Sequence, residues 1–176
     1  IDDLNLTLRA NIGSNDEIQA FNDQLIKSVG LFRSEFIYID KTTKPSLEDQ
    51  IKINNELDSK FSETIVFRTL DIGGDKQVPY LKLPKEENPF LGVRGIRYSL
   101  EEEALFREQI VSILTSKLNN KVKIMFPMVS ILDDFIKAKN IVIEESEKLN
   151  IKTPPLGIMV ETPSAALNAE LYVGHV

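Results

Sequence analysis

Between Phe67 and Arg97 the chain reads FRTLDIGGDKQVPYLKLPKEENPFLGVRGIR, with cations, glycines and turn formers at short spacing. Arg68 closes a short apolar run over residues 64–67, and two adjacent glycines, Gly73 and Gly74, follow it. Arg94 comes after the turn-forming pair Asn88-Pro89 and after Gly92. A guanidinium at the end of a buried strand can grip a carboxylate or phosphate through two parallel hydrogen bonds, and glycine lets backbone approach such an anion closely. The chemistry implied is recognition of an anionic, phosphate-bearing small molecule. Taken alone, either arginine is better read as the partner of a surface carboxylate, so the anion-binding reading rests on the group.

Arg33 ends a second apolar run, residues 29–32, and Glu161 ends a third within GIMVETP, residues 157–163. A carboxylate closing an apolar strand, ahead of Pro163 and a small-residue helix, is placed to hold a hard cation. Magnesium takes only one or two protein carboxylates and leaves its other positions to water and substrate oxygens. The competing reading of Glu161 is a partly buried side chain paired with a neighbouring arginine. Together, two arginines and one carboxylate on a single rim make an anion-plus-metal constellation. At about 4 Å and an effective dielectric near 20, one arginine–phosphate contact gives on the order of 4 kcal/mol before desolvation. Three cations grouped without an anion would repel one another, which favours a bound phosphate or carboxylate.

The elements that must position these groups alternate along the chain. Strands are expected over residues 4–10, 29–32, 64–69, 121–128 and 156–161. Helices are expected over about 16–28, from Pro45-Ser46 through 61, and over 100–118, 132–149 and 164–171. Ser14 is the expected cap of the first helix, and Asn11-Ile12-Gly13 closes the first strand. Strands of near-continuous Val, Ile, Leu and Met separated by helices predict a parallel sheet covered by helices. A doubly wound open sheet and an eight-stranded barrel both fit. No Gly-x-Gly-x-x-Gly follows the first strand, which weakens the dinucleotide-binding version of the open sheet. Asn11, Arg33, Arg68, Pro127-Met128 and Glu161 all fall at strand ends, the face where barrel active sites collect, so an α/β barrel is preferred. A complete barrel needs eight strands and about 250 residues, and this chain holds about five strand–helix units.

Composition bounds the rest. The 176 residues can bury roughly 70% of their unfolded surface, enough for one substantial core. A net charge of -6 argues against a nucleic-acid groove and confines any basic site to one locality. The absence of cysteine excludes disulfides and thiolate metal sites and suits a reducing cytoplasm. No apolar run approaches the roughly 18 residues of a membrane span. The chain begins at Ile1 and stops at Val176 after a helical pattern, which reads as a piece of a longer polypeptide.

Six segments in order carry a resemblance: ANIG at 10–13, GLFRSEF at 30–36, RTLDIGGDK at 68–76, ENPFLGVRGIR at 87–97, IMFPM at 124–128 and GIMVETP at 157–163. They resemble the Enzyme I family, the phosphoenolpyruvate–protein phosphotransferases of the bacterial sugar phosphotransferase system. The wider phosphoenolpyruvate-utilising family, with pyruvate phosphate dikinase and phosphoenolpyruvate synthase, is similar in the Asn-Pro-x-Leu-Gly-x-Arg segment and the strand ending in Glu. The resemblance implies that residues 1–176 are the first part of a phosphoenolpyruvate-binding TIM barrel. It puts Arg33, Arg68 and Arg94 on the substrate arginines, Asn11, Asp71 and Lys76 along the pocket, and Glu161 on one of two Mg2+ ligands. It implies phosphoryl transfer from phosphoenolpyruvate to a histidine of a separate N-terminal domain, then to the histidine-containing phosphocarrier protein, in a cytoplasmic homodimer with no membrane or nucleic-acid partner.

The resemblance also implies absent parts. The second metal-ligand aspartate, a further arginine and a proton-donating cysteine would lie beyond Val176. The single histidine, His175, lies in no matching motif and is read as a solvated tail residue, so no catalytic residue is assigned here. This chain alone is expected to show no turnover, and an open half barrel is expected to expose a sheet edge and apolar surface and so to be partner-bound, swapped or part of a larger chain. Two alternatives stay open: a dikinase or synthase barrel, and a non-catalytic module for dimerisation or ligand sensing.

Overall fold

A computed structural model describes residues 6–39, 41–73, 78–81, 83, 85 and 87–176. Its elements run β1 (Ala10–Ile12), α1 (Asn15–Ala20), β2 (Val29–Arg33), α2 (Phe36–Ile39), α3 (Leu47–Lys60), β3 (Ile65–Arg68), α4 (Ile96–Glu101), α5 (Glu103–Thr115), β4 (Val122–Phe126), α6 (Leu132–Leu149), β5 (Leu156–Ile158) and α7 (Pro163–Leu167). Short 3-10 turns follow α5 and α7, at Lys117–Asn120 and Ala169–Tyr172.

The five strands pair in parallel in the order of the sequence, β1-β2-β3-β4-β5. A doubly wound sheet would reverse that order at a switch point and bury both faces. Here one face carries the core row Phe32, Phe67, Ile124, with Phe126 beyond it, all buried. Leu31, Val66 and Met125 on the opposite face are only half-buried, and Lys123 is exposed. On the covered side α1 packs on α3, α3 on α5, and α5 on α6. Sequential strands with a one-sided helix layer make this an α/β fold of the barrel kind, left open after five units. Phe32 and Phe67 stack at 4.9 Å between ring centres, and Phe126 meets Phe106 and Phe135 at 6.1 and 5.9 Å. Each such ring, fully buried, contributes on the order of 1.5–3 kcal/mol.

Local chemistry sets the element ends. The Ser46 hydroxyl accepts the Asp49 N–H at 3.1 Å while the Asp49 carboxylate accepts the Ser46 N–H at 3.2 Å, a reciprocal cap that starts α3. Asn150, left-handed at φ 53°, stops α6. Thr162 caps α7, whose first residue is Pro163.

Several expected boundaries are corrected. The helix expected over 16–28 ends at Ala20. Phe21 turns in to pack on Phe61 at 4.4 Å, and the Asp23 carboxylate accepts the Leu25 N–H at 2.7 Å, a local turn that competes with helix. The helix expected over 100–118 is two helices joined at Glu102, whose φ of -98° and ψ of 55° end one and begin the next. The first strand pairs only over Ala10–Ile12, because β2 offers partners only from Val29; Leu6 and Leu8 before it are exposed. The last strand ends at Ile158: after the Met159 N–H reaches the Phe126 carbonyl, the next donor on the neighbouring strand, the Met128 N–H, goes to the Glu161 carboxylate instead. The charged face of α5 is more than solvated: Arg107 pairs with Glu103, Glu144 and Glu145 at 2.6, 2.7 and 2.6 Å and so ties α5 to α6.

Candidate anion-binding site at the strand ends

In a parallel sheet every strand ends at the same side, so the last residues of β2 and β3 become neighbours. Arg33 and Arg68 are directly opposite in register, with Met125 next along the row and Gly157 after it. The two guanidiniums then differ in setting.

Arg68 is buried. Its Nη2 donates to Glu35 Oε1 at 2.6 Å, and its Nη1 lies 3.4 Å from Asp71 Oδ2 and 3.6 Å from the Met159 sulfur. Among the described residues, the buried Arg68 Nε and Thr69 Oγ1 have no hydrogen-bond partner. Asp71, also buried, faces a second cation: Arg94 donates from Nε to Oδ1 at 3.0 Å and from Nη2 to Oδ2 at 3.3 Å. Arg94 also lies over the Phe90 ring, 4.7 Å from its centre. Its backbone bridges Gly73, where a β-carbon would fall 2.9 Å from that of Arg94. The glycine therefore permits the close approach that brings Arg94 to Asp71.

Arg33 is exposed and makes no ion pair among the described residues. Its guanidinium lies against Gly13, whose missing β-carbon would sit 1.7 Å from Arg33 Nη2. Asn11, on β1 opposite Leu31, is exposed one position from the strand end. Lys76 lies outside the described residues, as does Gly74.

Glu161 stands three residues beyond β5, and its Oε1 accepts the Met128 N–H at 2.7 Å. Met128 follows β4 with φ at 58°, and the unusual backbone turns that N–H toward the next strand's end. Glu161 is exposed and has no arginine partner among the described residues, so the reading of it as half of an ion pair is corrected. No group of three or more His, Cys, Asp or Glu residues able to hold a metal occurs among the described residues. Glu161 is thus a single carboxylate with one oxygen anchored. His175 is exposed in the last turn, where its carbonyl accepts from Lys139.

The structure thus gathers Arg33, Arg68, Arg94 and Asp71 at one end of the sheet, with Glu161 on that same side. It also corrects the repulsion argument. The cations do not wait for an external anion, because Glu35 and Asp71 are built in between them. Sequence reasoning missed Glu35, Ser34 and Gln109. Glu35 follows Arg33 by two residues in a turn, where an acid beside a cation is a usable signal. Gln109 lies between Leu105 and Ile113 at helical spacing of four, a polar residue on an apolar stripe. A separate cleft of about 1030 Å3 lies where α4, α5 and α6 meet; Arg107 there is already matched by three carboxylates.

Comparison with known proteins bears on the same residues. The family model described as PEP-utilising enzyme, PEP-binding domain, matches residues 1–176. A phosphoenolpyruvate-protein phosphotransferase of Mycoplasma capricolum is 41% identical over 180 residues, covering 99% of this chain and 31% of the relative. That of Priestia megaterium is 41% identical over 182 residues, covering 99% and 32%. That of Bacillus subtilis is 41% identical over 177 residues, covering 96% and 31%. The chain spans about a third of the length of these curated relatives.

Proposed function

Because this chain belongs to the PEP-utilising enzymes, through their PEP-binding domain, we propose that it is the phosphoenolpyruvate-binding part of a phosphoenolpyruvate–protein phosphotransferase. Arg33, Arg68 and Arg94 bind the phosphate and carboxylate of phosphoenolpyruvate, and Asn11, Asp71 and Lys76 border them. The observation that supports this reading is the register that sets Arg33 beside Arg68 at the strand ends, with Arg94 joined to Arg68 through Asp71.

Phosphoryl transfer requires positioning and charge neutralisation more than protein nucleophiles, so arginines suit this half of the task. Arg68 and Arg94 are held by buried carboxylates before any ligand arrives, which orients their donor forks. Among the described residues, Arg33 has no carboxylate partner to give up when an anion enters. Glu161 fits a magnesium ligand: the Met128 N–H fixes Oε1, and the other oxygen has no partner among the described residues. Magnesium, when bound, would withdraw charge from the substrate's oxygens as a Lewis acid. The phosphoryl group passes to a histidine of a separate N-terminal domain and on to the histidine-containing phosphocarrier protein, driving sugar uptake, and the enolpyruvate left behind is protonated to pyruvate. His175 is not the acceptor. No described helix is long and apolar enough to cross a membrane, and the reading makes the protein a cytoplasmic enzyme, on the family resemblance a homodimer.

The test is titration with phosphoenolpyruvate and Mg2+ of the full-length protein and of its Arg68→Ala and Glu161→Gln variants. Loss of one such electrostatic donor is expected to lower the transfer rate about 100- to 1,000-fold. Unchanged affinity and rate in both variants would remove the assignment.

A further inference from the structure

We propose that Gln109, which lies on α5 behind the sheet, is a positioning residue that holds Arg68 in its anion-binding orientation. The inference rests on the phosphoenolpyruvate reading of the site and adds to it a group that touches no substrate.

Gln109 is buried, 2% exposed, and both ends of its amide are used. Its Oε1 accepts the Leu70 N–H at 3.0 Å, and its Nε2 donates to Ser34 Oγ at 3.1 Å. The Ser34 hydroxyl donates its own proton to the Arg68 carbonyl at 2.8 Å. One side chain thus fixes the backbone on both sides of Thr69, immediately after Arg68, and the residue that follows Arg33. The sheet ladder cannot do this. Its last hydrogen bond in this strand is from the Thr69 N–H to the Met125 carbonyl, which leaves the buried Leu70 N–H without a strand partner. A buried backbone donor needs an acceptor, and Gln109 is the one supplied. The direction of the relay is fixed as well. Ser34 has one proton, committed to Arg68, so it must accept from Gln109, and the amide accepts at one end and donates at the other.

Without the amide, the segment 68–70 gains conformations in which Arg68 leaves Glu35 and Asp71. Apparent affinity falls by the fraction of molecules still competent to bind. Gln109→Met keeps the volume and removes both polar ends. It is expected to weaken phosphoenolpyruvate binding about tenfold, the size of one lost buried hydrogen bond. Gln109→Glu keeps the acceptor and loses the donor, and is expected to weaken binding as well.

The experiment is a double-mutant cycle, read as phosphoenolpyruvate affinity in the presence of Mg2+, with Gln109→Met made in the wild-type and Arg68→Met backgrounds. A residue acting through Arg68 gives about a tenfold loss in the first and under twofold in the second. A residue that merely supports the fold gives equal losses in both, and that result overturns the inference alone. Ser34→Ala, which cuts the relay from the loop side, must show the same non-additivity, and it decides the matter if Gln109→Met does not fold. Failure of the wild-type protein to bind phosphoenolpyruvate overturns the inference together with the reading beneath it.

Discussion

Replacing Asp71 by asparagine removes one negative charge from between two buried guanidiniums while keeping the side chain's shape. The Arg94 Nε–Asp71 Oδ1 contact of 3.0 Å is worth roughly 5 kcal/mol in gross Coulomb energy at an effective dielectric near 20. Most of that is spent on desolvation, and loss of one partner from a buried pair costs about 3–5 kcal/mol because a charge is left uncompensated. The two arginines do not share the loss equally. Arg68 keeps Glu35 at 2.6 Å, whereas Arg94 loses the charge from both oxygens it donates to on Asp71, at 3.0 and 3.3 Å. The expected destabilisation is therefore about 3–5 kcal/mol, a fall in Tm of roughly 6–20 °C for a domain of this size. Thermal unfolding with and without phosphoenolpyruvate measures it. An anion that enters between the arginines replaces the missing charge, so the ligand is expected to raise Tm more in the variant than in the wild type. An unfolding free energy within about 1 kcal/mol of wild type would show that the Asp71 bridge is not what holds the cations in place.

Two further outcomes follow from neighbouring observations. Gly13→Ala puts a β-carbon 1.7 Å from Arg33 Nη2, the far end of a flexible side chain, so Arg33 must move while the backbone need not. Stability by chemical denaturation is expected to stay within about 0.5 kcal/mol of wild type while affinity for phosphoenolpyruvate falls; equal affinity would show that Arg33's resting place is irrelevant. The chain's tyrosines give an alkaline signature: burial raises Tyr80 and Tyr98 to about 12 and also pushes Tyr38 and Tyr172 above the ordinary phenol value. A phenol that holds its proton longer folded than unfolded makes the unfolded state the weaker proton binder above pH of about 10, so stability falls as pH rises from there toward 12. Phenolate absorbance of the folded protein is expected to develop above the ordinary phenol range, and a single step near pH of about 10 carrying all four tyrosines with the fold intact would contradict that.

The sequence was most legible where one physical rule dominates. Strand–helix alternation and apolar strands were enough for the parallel sheet, and α6 runs over the residues its periodicity indicates, Leu132–Leu149. Ser46 announced α3 because a hydroxyl ahead of a first-turn acid can satisfy backbone donors in only one way. Boundaries failed where long-range packing overrode a local pattern. Phe21 leaves α1 for Phe61, forty residues away in sequence, and no local window contains that attraction. The strand-end arginines were legible as types and positions, but their partners were not. Glu35, Asp71 and Gln109 meet Arg68, Arg94 and Ser34 only after β2 and β3 have paired and α5 has packed behind them.

Those partners change what the site costs the fold. A buried arginine without a counter-ion would be too poorly solvated to remain inside, and a site that relied on its ligand would be disordered or expelled without it. Glu35 and Asp71 remove that problem at the level of the sequence. Among the described residues, Arg68 and Arg94 carry two positive charges and Glu35 and Asp71 two negative ones, which balance. On the proposed reading, exposed Arg33 then provides the net attraction for an anion without burying an unmatched charge. A ligand that meets this arrangement does not have to assemble it. It has only to compete with carboxylates for donors already fixed in direction, and to reach the Arg68 Nε that no described residue occupies. That division, a self-neutralised buried pair of arginines and one uncommitted arginine at the rim, is why the Asp71 and Gly13 substitutions should separate so clearly. The first attacks the fold and is repaired by ligand, whereas the second spares the fold and weakens the ligand.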